Sequence, residues 1–91
     1  MDTIIVHPRV TEKRPELLER DVLDAWNNCI HAKRRADKDT IEYIAVGSDQ
    51  NGRLIEAVAK LDGEAWLLYH AMTPLSKKTL KELGLTGGKN E

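Results

Sequence analysis

Residues 41–72, IEYIAVGSDQNGRLIEAVAKLDGEAWLLYHAM, determine the fold class of this protein. Two dipeptides in this segment, Asn51-Gly52 and Asp62-Gly63, are typical of tight turns between antiparallel strands. They separate three pieces that are rich in residues favouring strands, at positions 41–47, 53–61 and 64–71. The segment therefore predicts a meander of three antiparallel strands.

Helices are predicted on both sides of this meander. Residues 15–33 carry apolar side chains at helical spacing behind Pro15, which suits a first helical position. A shorter helix capped by Asp21 is the alternative. After the meander, Thr73 and Pro74 are typical of the start of a short second helix.

The expected fold is α+β, with an N-terminal helix packed on a three- to four-stranded antiparallel meander and a short C-terminal helix. The fourth strand would be residues 3–6, confined to an edge because Pro8 limits pairing there. One domain is expected over residues 1–85, since a chain of 91 residues has no room for two cores. Residues 86–91 show no periodicity and are expected to form a disordered tail.

The composition argues against several classes of protein. The chain is 41% hydrophobic and 32% charged, a balance typical of folded, water-soluble domains rather than of disordered chains. No apolar run approaches the ~20 residues of a membrane span, so a cytoplasmic protein without membrane contact is expected. The single cysteine, Cys29, fits a reducing compartment. With three widely spaced histidines it offers no zinc-type ligand set, and no metal or other cofactor is expected.

Local charge is more informative than the net charge of −1. Residues 9–38 sum to +2, residues 39–64 to −4 and residues 74–91 to +2. The two positive segments contain the clusters Lys33-Arg34-Arg35 and Lys77-Lys78-Lys81, which are candidates for contacts with RNA phosphates. Solvated helix ends are the alternative interpretation of both clusters.

The hairpin turns also predict which side chains share a face of the sheet. A two-residue loop at the second turn pairs Glu56 with Tyr69 on one face and places His70 on the other. A two- or four-residue loop at the first turn adds Ile44 and Val46 to the face that does not carry Glu56. The face that carries Glu56 is therefore expected to be part apolar and part ionisable.

Glu56, Tyr69 and His70 are the candidate catalytic residues. Glu56 and Tyr69 form either a base or substrate-positioning pair or an ordinary polar pair between strands. His70 ends the third strand, and its imidazole is the side chain most easily tuned near neutral pH. A hydrogen-bonded structural histidine is the alternative. Because the predicted register separates His70 from the other two, the sequence favours a site that combines His70 with the basic C-terminal helix.

The order of the motifs carries a family resemblance. A helix containing DVLDAW (residues 21–26) is followed by EYIAVG (42–47), GRLIE (52–56) and WLLYHAM (66–72), and then by Lys77 and Lys78. This order resembles that of the BrnT-like toxins of type II toxin–antitoxin systems, within the RelE/ParE-like superfamily. The likeness covers roughly residues 16–83.

The resemblance implies a small, metal-independent ribonuclease that cleaves mRNA and is neutralised by a cognate antitoxin, often of the ribbon–helix–helix type. The antitoxin would cover the toxin's basic cleft, and the pair would bind operator DNA through the antitoxin. Arg53 matches the arginine of the family's G-R motif. Met72 stands where the family's S-A-R motif has its arginine.

In this interpretation the site residues form two groups. Proton transfer is assigned to His70, Glu56 and Tyr69, and contacts with RNA phosphates to Arg53, Lys77, Lys78, Arg34 and Arg35. No cofactor is needed, because a base, an acid and cations suffice for attack of a ribose 2′-hydroxyl on the phosphate. A non-catalytic protein-interaction module of the same fold is the alternative function.

Overall fold

The computed structural model describes residues 3–35 and 39–85. The elements in these ranges are β1 (Thr3–Val6), α1 (Pro8–Lys13), α2 (Glu19–Asn27), β2 (Cys29–Arg34), β3 (Glu42–Ser48), β4 (Leu54–Asp62), β5 (Ala65–Met72) and α3 (Lys77–Glu82). The strands form one sheet in the order β1-β5-β4-β3-β2. Within the described residues, no helix is long and apolar enough to cross a membrane.

The α+β class is confirmed, and so is the antiparallel meander, which is formed by β3, β4 and β5. The predicted number and type of strands are wrong. The sheet has five strands rather than three or four, and it is mixed because β1 pairs in parallel with β5. The fifth strand, β2, comes from residues that were predicted to be helical.

The predicted helix over residues 15–33 is wrong at its C-terminal end. α2 stops at Asn27 and is capped by Asn28, two residues of low helix propensity. From Cys29 the chain forms β2, in which Lys33 pairs with Ile44 of β3. Pairing with a neighbouring strand therefore outweighs the helical spacing of the apolar residues.

The predicted start of this helix is also wrong. α2 begins at Glu19, after a turn, rather than at Pro15 or Asp21. The Asp21 carboxylate accepts the Leu18 N–H at 2.9 Å from inside the first turn. An acidic side chain at this position satisfies a backbone donor that the helix itself leaves free.

A second helix, which was not predicted, precedes α2. α1 begins at Pro8, where a missing N–H costs nothing because the helix has no acceptor for it. Nδ1 of His7 accepts the Arg9 N–H at 3.1 Å and closes the start of the helix. Pro8 therefore starts a helix as well as ending β1.

α1 and α2 pack on one face of the sheet, which we call the helix face. The buried core there consists of Val10, Leu17, Val22, Ala25, Ile55, Ala57, Ala59, Leu68 and Ala71. Gly47 of β3 allows α2 to approach closely, because a Cβ at this position would overlap the carbonyl oxygen of Ala25. The absence of a side chain at Gly47 thus sets the distance between helix and sheet.

α3 is attached to the opposite face, which we call the cleft face. Ile44, Val46 and Val58 are buried there. Val46 pairs with Glu56, so the prediction that these two residues lie on different faces is wrong. The cause is the β3–β4 loop, which has five residues, 49–53, because Ser48 pairs with Leu54. An odd loop length shifts the register by one and exchanges the faces of β3.

The C-terminal helix starts later than predicted. α3 begins at Lys77, and the Oγ of Ser76 accepts the Thr79 N–H at 3.1 Å. Thr73 instead donates its hydroxyl to the Leu54 carbonyl oxygen at 2.7 Å. Serine provides the same kind of hydroxyl cap as threonine, one turn further along. The predicted tail, residues 86–91, lies outside the described residues.

Candidate active site

A β-bulge in β5 brings the three candidate catalytic residues together. β4 and β5 pair regularly up to Leu68, after which the next pair joins Val58 to His70. Tyr69 is the extra residue of the bulge, and His70 consequently changes face. It lies on the cleft face with Glu56 and Val58. The predicted separation of His70 from Glu56 and Tyr69 is therefore wrong.

The β4–β5 turn is not responsible for this change. The turn consists of Gly63 and Glu64, since Asp62 pairs with Ala65, whereas the sequence predicted a loop at Asp62-Gly63. Moving a two-residue turn by one position moves each pairing partner by two, which leaves every side chain on its predicted face. The inserted Tyr69 alone therefore places His70 on the face of the carboxylate.

Glu56 and His70 form a hydrogen-bonded pair. Nε2 of His70 lies 2.8 Å from Oε2 of Glu56, and Oε1 accepts the Ser76 N–H at 2.7 Å. The Glu56 side chain is 3% exposed and that of His70 is 41% exposed, so the buried carboxylate holds an accessible imidazole. Burial raises the pKa of Glu56, but hydrogen bonds from His70, Ser76 and Thr79 outweigh it and lower the pKa to about 2. With Nε2 held by an ionised carboxylate, Nδ1 is the ring nitrogen that can accept a proton.

Tyr69, which precedes His70 in β5, is a protonated phenol. Its ring has the ammonium of Lys60 at 5.7 Å from its centre. Burial and a hydrogen bond to the Glu42 carboxylate raise the pKa of Tyr69 to about 12, although the charge of Arg35 opposes them. The hydroxyl therefore stays protonated at neutral pH and donates its hydrogen bond to Glu42.

The three side chains line a cleft of about 630 Å³ that also contains five cations. The cationic residues are Arg9, Lys13 and Arg14 at α1, Arg35 after β2 and Lys78 on α3. Glu56 is the one carboxylate among the described residues that line the cleft. Within residues 3–35 and 39–85, each cation except Arg35 lacks a salt bridge. The cleft therefore attracts anions.

Arg35 connects the sheet to α3. Its guanidinium donates to Glu82 at 2.9 Å and to Glu42 at 3.0 Å. The hydrogen bond to Glu82 raises the pKa of Arg35, outweighing burial. Two carboxylates thus already balance this cation, and its main effect is to hold α3 and Tyr69 in place.

Of the other residues predicted to contact phosphate, one lines the cleft and the rest lie outside it. Lys78 lines the cleft, whereas Lys77 and Arg34 are exposed and do not line it. Arg53 also lies outside the cleft: Nε donates to the Asp49 carboxylate at 2.7 Å and Nη2 to Asp21 at 3.3 Å. Arg53 therefore connects the β3–β4 loop to α2.

The cations of α1 were missed by the sequence analysis. Arg9 and Lys13 are four residues apart behind Pro8, a spacing that places both side chains on one side of a helix. The signal was present in the sequence, but it depends on recognising Pro8 as the start of a helix. With α1 assigned, Arg9, Lys13 and Arg14 would have been predicted as a basic cluster.

The fold and the site define an α+β protein with a cationic cleft built around a histidine–glutamate pair. Comparisons of the chain with protein-family models, with curated proteins and with solved structures found no match. In the part of the chain that the structure describes, no three His, Cys, Asp or Glu side chains are grouped so as to hold a metal ion.

Proposed function

We propose that this protein is a ribonuclease that needs no metal ion, and that it is the toxin of a bacterial type II toxin–antitoxin pair, acting on mRNA in the cytoplasm. The observation that carries the proposal is the Glu56–His70 pair, joined at 2.8 Å in a cleft whose other charged side chains are cationic. RNA matches this site because it carries a phosphate for the cations and a 2′-hydroxyl beside each phosphate for the histidine. The resemblance of the motif order to the BrnT-like toxins supports the same interpretation.

His70 is the proposed general base. Because Glu56 holds Nε2, Nδ1 takes the proton of a ribose 2′-hydroxyl as that oxygen attacks the adjacent phosphorus. The new bond joins the 2′-oxygen to phosphorus, and the bond between phosphorus and the 5′-oxygen breaks. The products are a 2′,3′-cyclic phosphate and a free 5′-hydroxyl. The Glu56 carboxylate stabilises the imidazolium that forms.

Tyr69 is the proposed general acid for the leaving oxygen. With its pKa raised to about 12, the phenol of Tyr69 stays protonated at neutral pH, and a 5′-alkoxide is basic enough to take its proton. The charge on the phosphate is balanced by the cations without a salt bridge that line the cleft, namely Arg9, Lys13, Arg14 and Lys78. Arg53 is assigned a structural role.

A cognate antitoxin is the proposed partner, with operator DNA bound through the antitoxin. The excess of cations in the cleft favours an acidic antitoxin segment over this surface. The ribbon–helix–helix type is proposed from the resemblance alone.

The proposal is tested by expressing the chain alone and with the product of the neighbouring gene. Unpartnered expression should arrest growth, and co-expression should relieve the arrest. In vitro, the purified chain should cut RNA in the presence of a chelator and leave a 2′,3′-cyclic phosphate. RNA with a 2′-deoxyribose at the cleavage position should resist.

Matched histidine variants identify the base. His70→Ala should lower the cleavage rate by at least about 100-fold, whereas His31→Ala, at an exposed histidine on β2, should leave it unchanged. Tyr69→Phe should slow cleavage while RNA binding persists. If unpartnered expression is harmless and the folded wild-type chain leaves RNA intact, the ribonuclease proposal is wrong and the protein is an interaction module.

A further inference from the structure

The edge strand β2 is an open surface. It is the last strand of the sheet, and all six residues, Cys29–Arg34, are exposed. No strand among the described residues pairs with its outer edge, so the backbone groups on that side are free to pair with another chain. Ile30, at the irregular start of the pairing with β3, is 61% exposed.

The two faces of β2 differ in chemistry. On the helix face, Cys29 and Ala32 border an apolar groove of about 290 Å³ whose other walls are Trp26, Tyr43 and Ala45. The cleft face carries His31 and Lys33, which pair with Val46 and Ile44. Arg34 pairs with Tyr43 and adds a cation at the end of the helix face, so the groove itself is apolar and basic side chains lie on the cleft face and at the end of the groove.

The positive charge of β2 favours an acidic partner at this edge over a second copy of the same strand. Residues 29–34, CIHAKR, contain two permanent cations, Lys33 and Arg34, and no acidic residue, whereas the following Arg35 is already balanced by Glu42 and Glu82. Pairing of β2 with β2 of a second copy would bring two such clusters together, which costs free energy because like charges repel. An acidic partner would instead match the strand.

We propose that β2 binds an extended segment of a partner protein in which apolar and acidic side chains alternate, and that this segment adds to the sheet as a further strand. A strand pairs about 4.8 Å beyond its neighbour and projects alternate side chains to opposite faces. Its apolar side chains would enter the groove beside Trp26, and its carboxylates would face His31 and Lys33. Main-chain hydrogen bonds provide affinity in this mode, and the side chains provide specificity. The surface lies outside the cleft and does not depend on ribonuclease activity.

The test is an NMR titration of the full-length ¹⁵N-labelled chain with a synthetic peptide of alternating glutamate and valine, about eight residues long. Binding should shift the amide resonances of residues 29–34 and slow their hydrogen exchange. A matched peptide with lysine in place of glutamate should leave these amides unchanged, as should a single-stranded oligouridylate.

Variants with the same charge change provide the control. Lys33→Glu should weaken binding of the acidic peptide about tenfold, whereas Arg20→Glu, on the exposed side of α2, should change it less than about twofold. The amide spectrum of each variant verifies its fold.

Four outcomes would overturn the proposal. The first is an acidic peptide that leaves β2 unperturbed at millimolar concentration, and the second is shifts confined to the cleft. The third is equal weakening by the two variants, which would indicate general charge attraction. The fourth is β2 shifts with the oligouridylate alone, which would make β2 a nucleic-acid surface.

Discussion

Replacing Glu56 with glutamine is expected to destabilise the fold at neutral pH and to do so about half as much at pH 3. The carboxylate is buried and accepts hydrogen bonds from Ser76 at 2.7 Å and from His70 at 2.8 Å. Glutamine keeps one acceptor oxygen, but its amide nitrogen is a donor where Nε2 of His70 donates. The substitution therefore removes the negative charge of residue 56 and places the glutamine NH₂ donor opposite the N–H donor of His70.

The size of the effect follows from the pKa of Glu56. Burial raises this pKa, but the hydrogen bonds lower it from an ordinary value of 4.5 to about 2. Because one pKa unit corresponds to about 1.4 kcal/mol, the ionised carboxylate contributes about 3 kcal/mol to the free energy of unfolding at neutral pH. This contribution is complete above the unfolded-state pKa and is lost as the pH falls through the folded-state pKa. At pH 3 about 1.5 kcal/mol remains.

Urea unfolding at pH 7 and at pH 3 measures the difference. Relative to the wild type, Glu56→Gln should lose about 3 kcal/mol at pH 7 and about half of that at pH 3. The control is Glu64→Gln, at an exposed position in the β4–β5 turn, which should change stability by less than about 0.5 kcal/mol at both pH values. An equal loss at both pH values would refute the reasoning, because the charge of the carboxylate would then contribute nothing.

Three further substitutions test the fold and the cleft. Gly47→Ala should cost about 3 kcal/mol in urea unfolding, because the new Cβ would overlap the Ala25 carbonyl oxygen; an unchanged midpoint would contradict the close approach of α2. Arg53→Ala should lower Tm, since the buried Asp49 loses its partner, and should leave RNA affinity unchanged; weaker RNA binding by the folded variant would make Arg53 a phosphate contact. Lys78→Ala should reduce the slope of log affinity for RNA against log salt concentration by about one, and an unchanged slope would place Lys78 outside the RNA interface.

The central part of the fold could be predicted because its signals are local. Asn51-Gly52 and Asp62-Gly63 lie at the two hairpin turns, and the structure has a strand on each side of both. Turn chemistry acts over a few residues, so it can be read without knowledge of the partner strands. Loop length is less local: the five residues between β3 and β4 include Asp49, whose carboxylate accepts the N–H groups of Asn51 and Arg53 at 2.9 Å.

Strand β1 was predicted at residues 3–6 on an edge of the sheet, which the structure confirms, but its parallel pairing with β5 and the whole of β2 were not predicted. Cys29–Arg34 is a strand because β3, the next strand along the chain, lies beside it, and β1 is a strand because the distant β5 does, with Thr3 opposite Ala65. Isolated from these partners, the apolar spacing before Ile30 extends the pattern of α2. Pairing energy is set by the neighbouring strand, so a single sequence window does not contain it.

The candidate site depends on the β-bulge in β5, which a short window of sequence does not predict. Nothing in WLLYHAM distinguishes a regular strand from one with an extra residue, yet the extra residue moves His70 to the face that carries Glu56 and Tyr69. Contacts at both ends of β5 define this bulge. The Gly63-Glu64 turn sets the register at one end, and the Glu56 carboxylate binds both His70 and the Ser76 N–H at the other. The chain between these points is one residue longer than the pairing requires, and both proposed proton-transfer groups line the same cleft because of that extra residue. The proposed chemistry thus depends on strand register as much as on residue type.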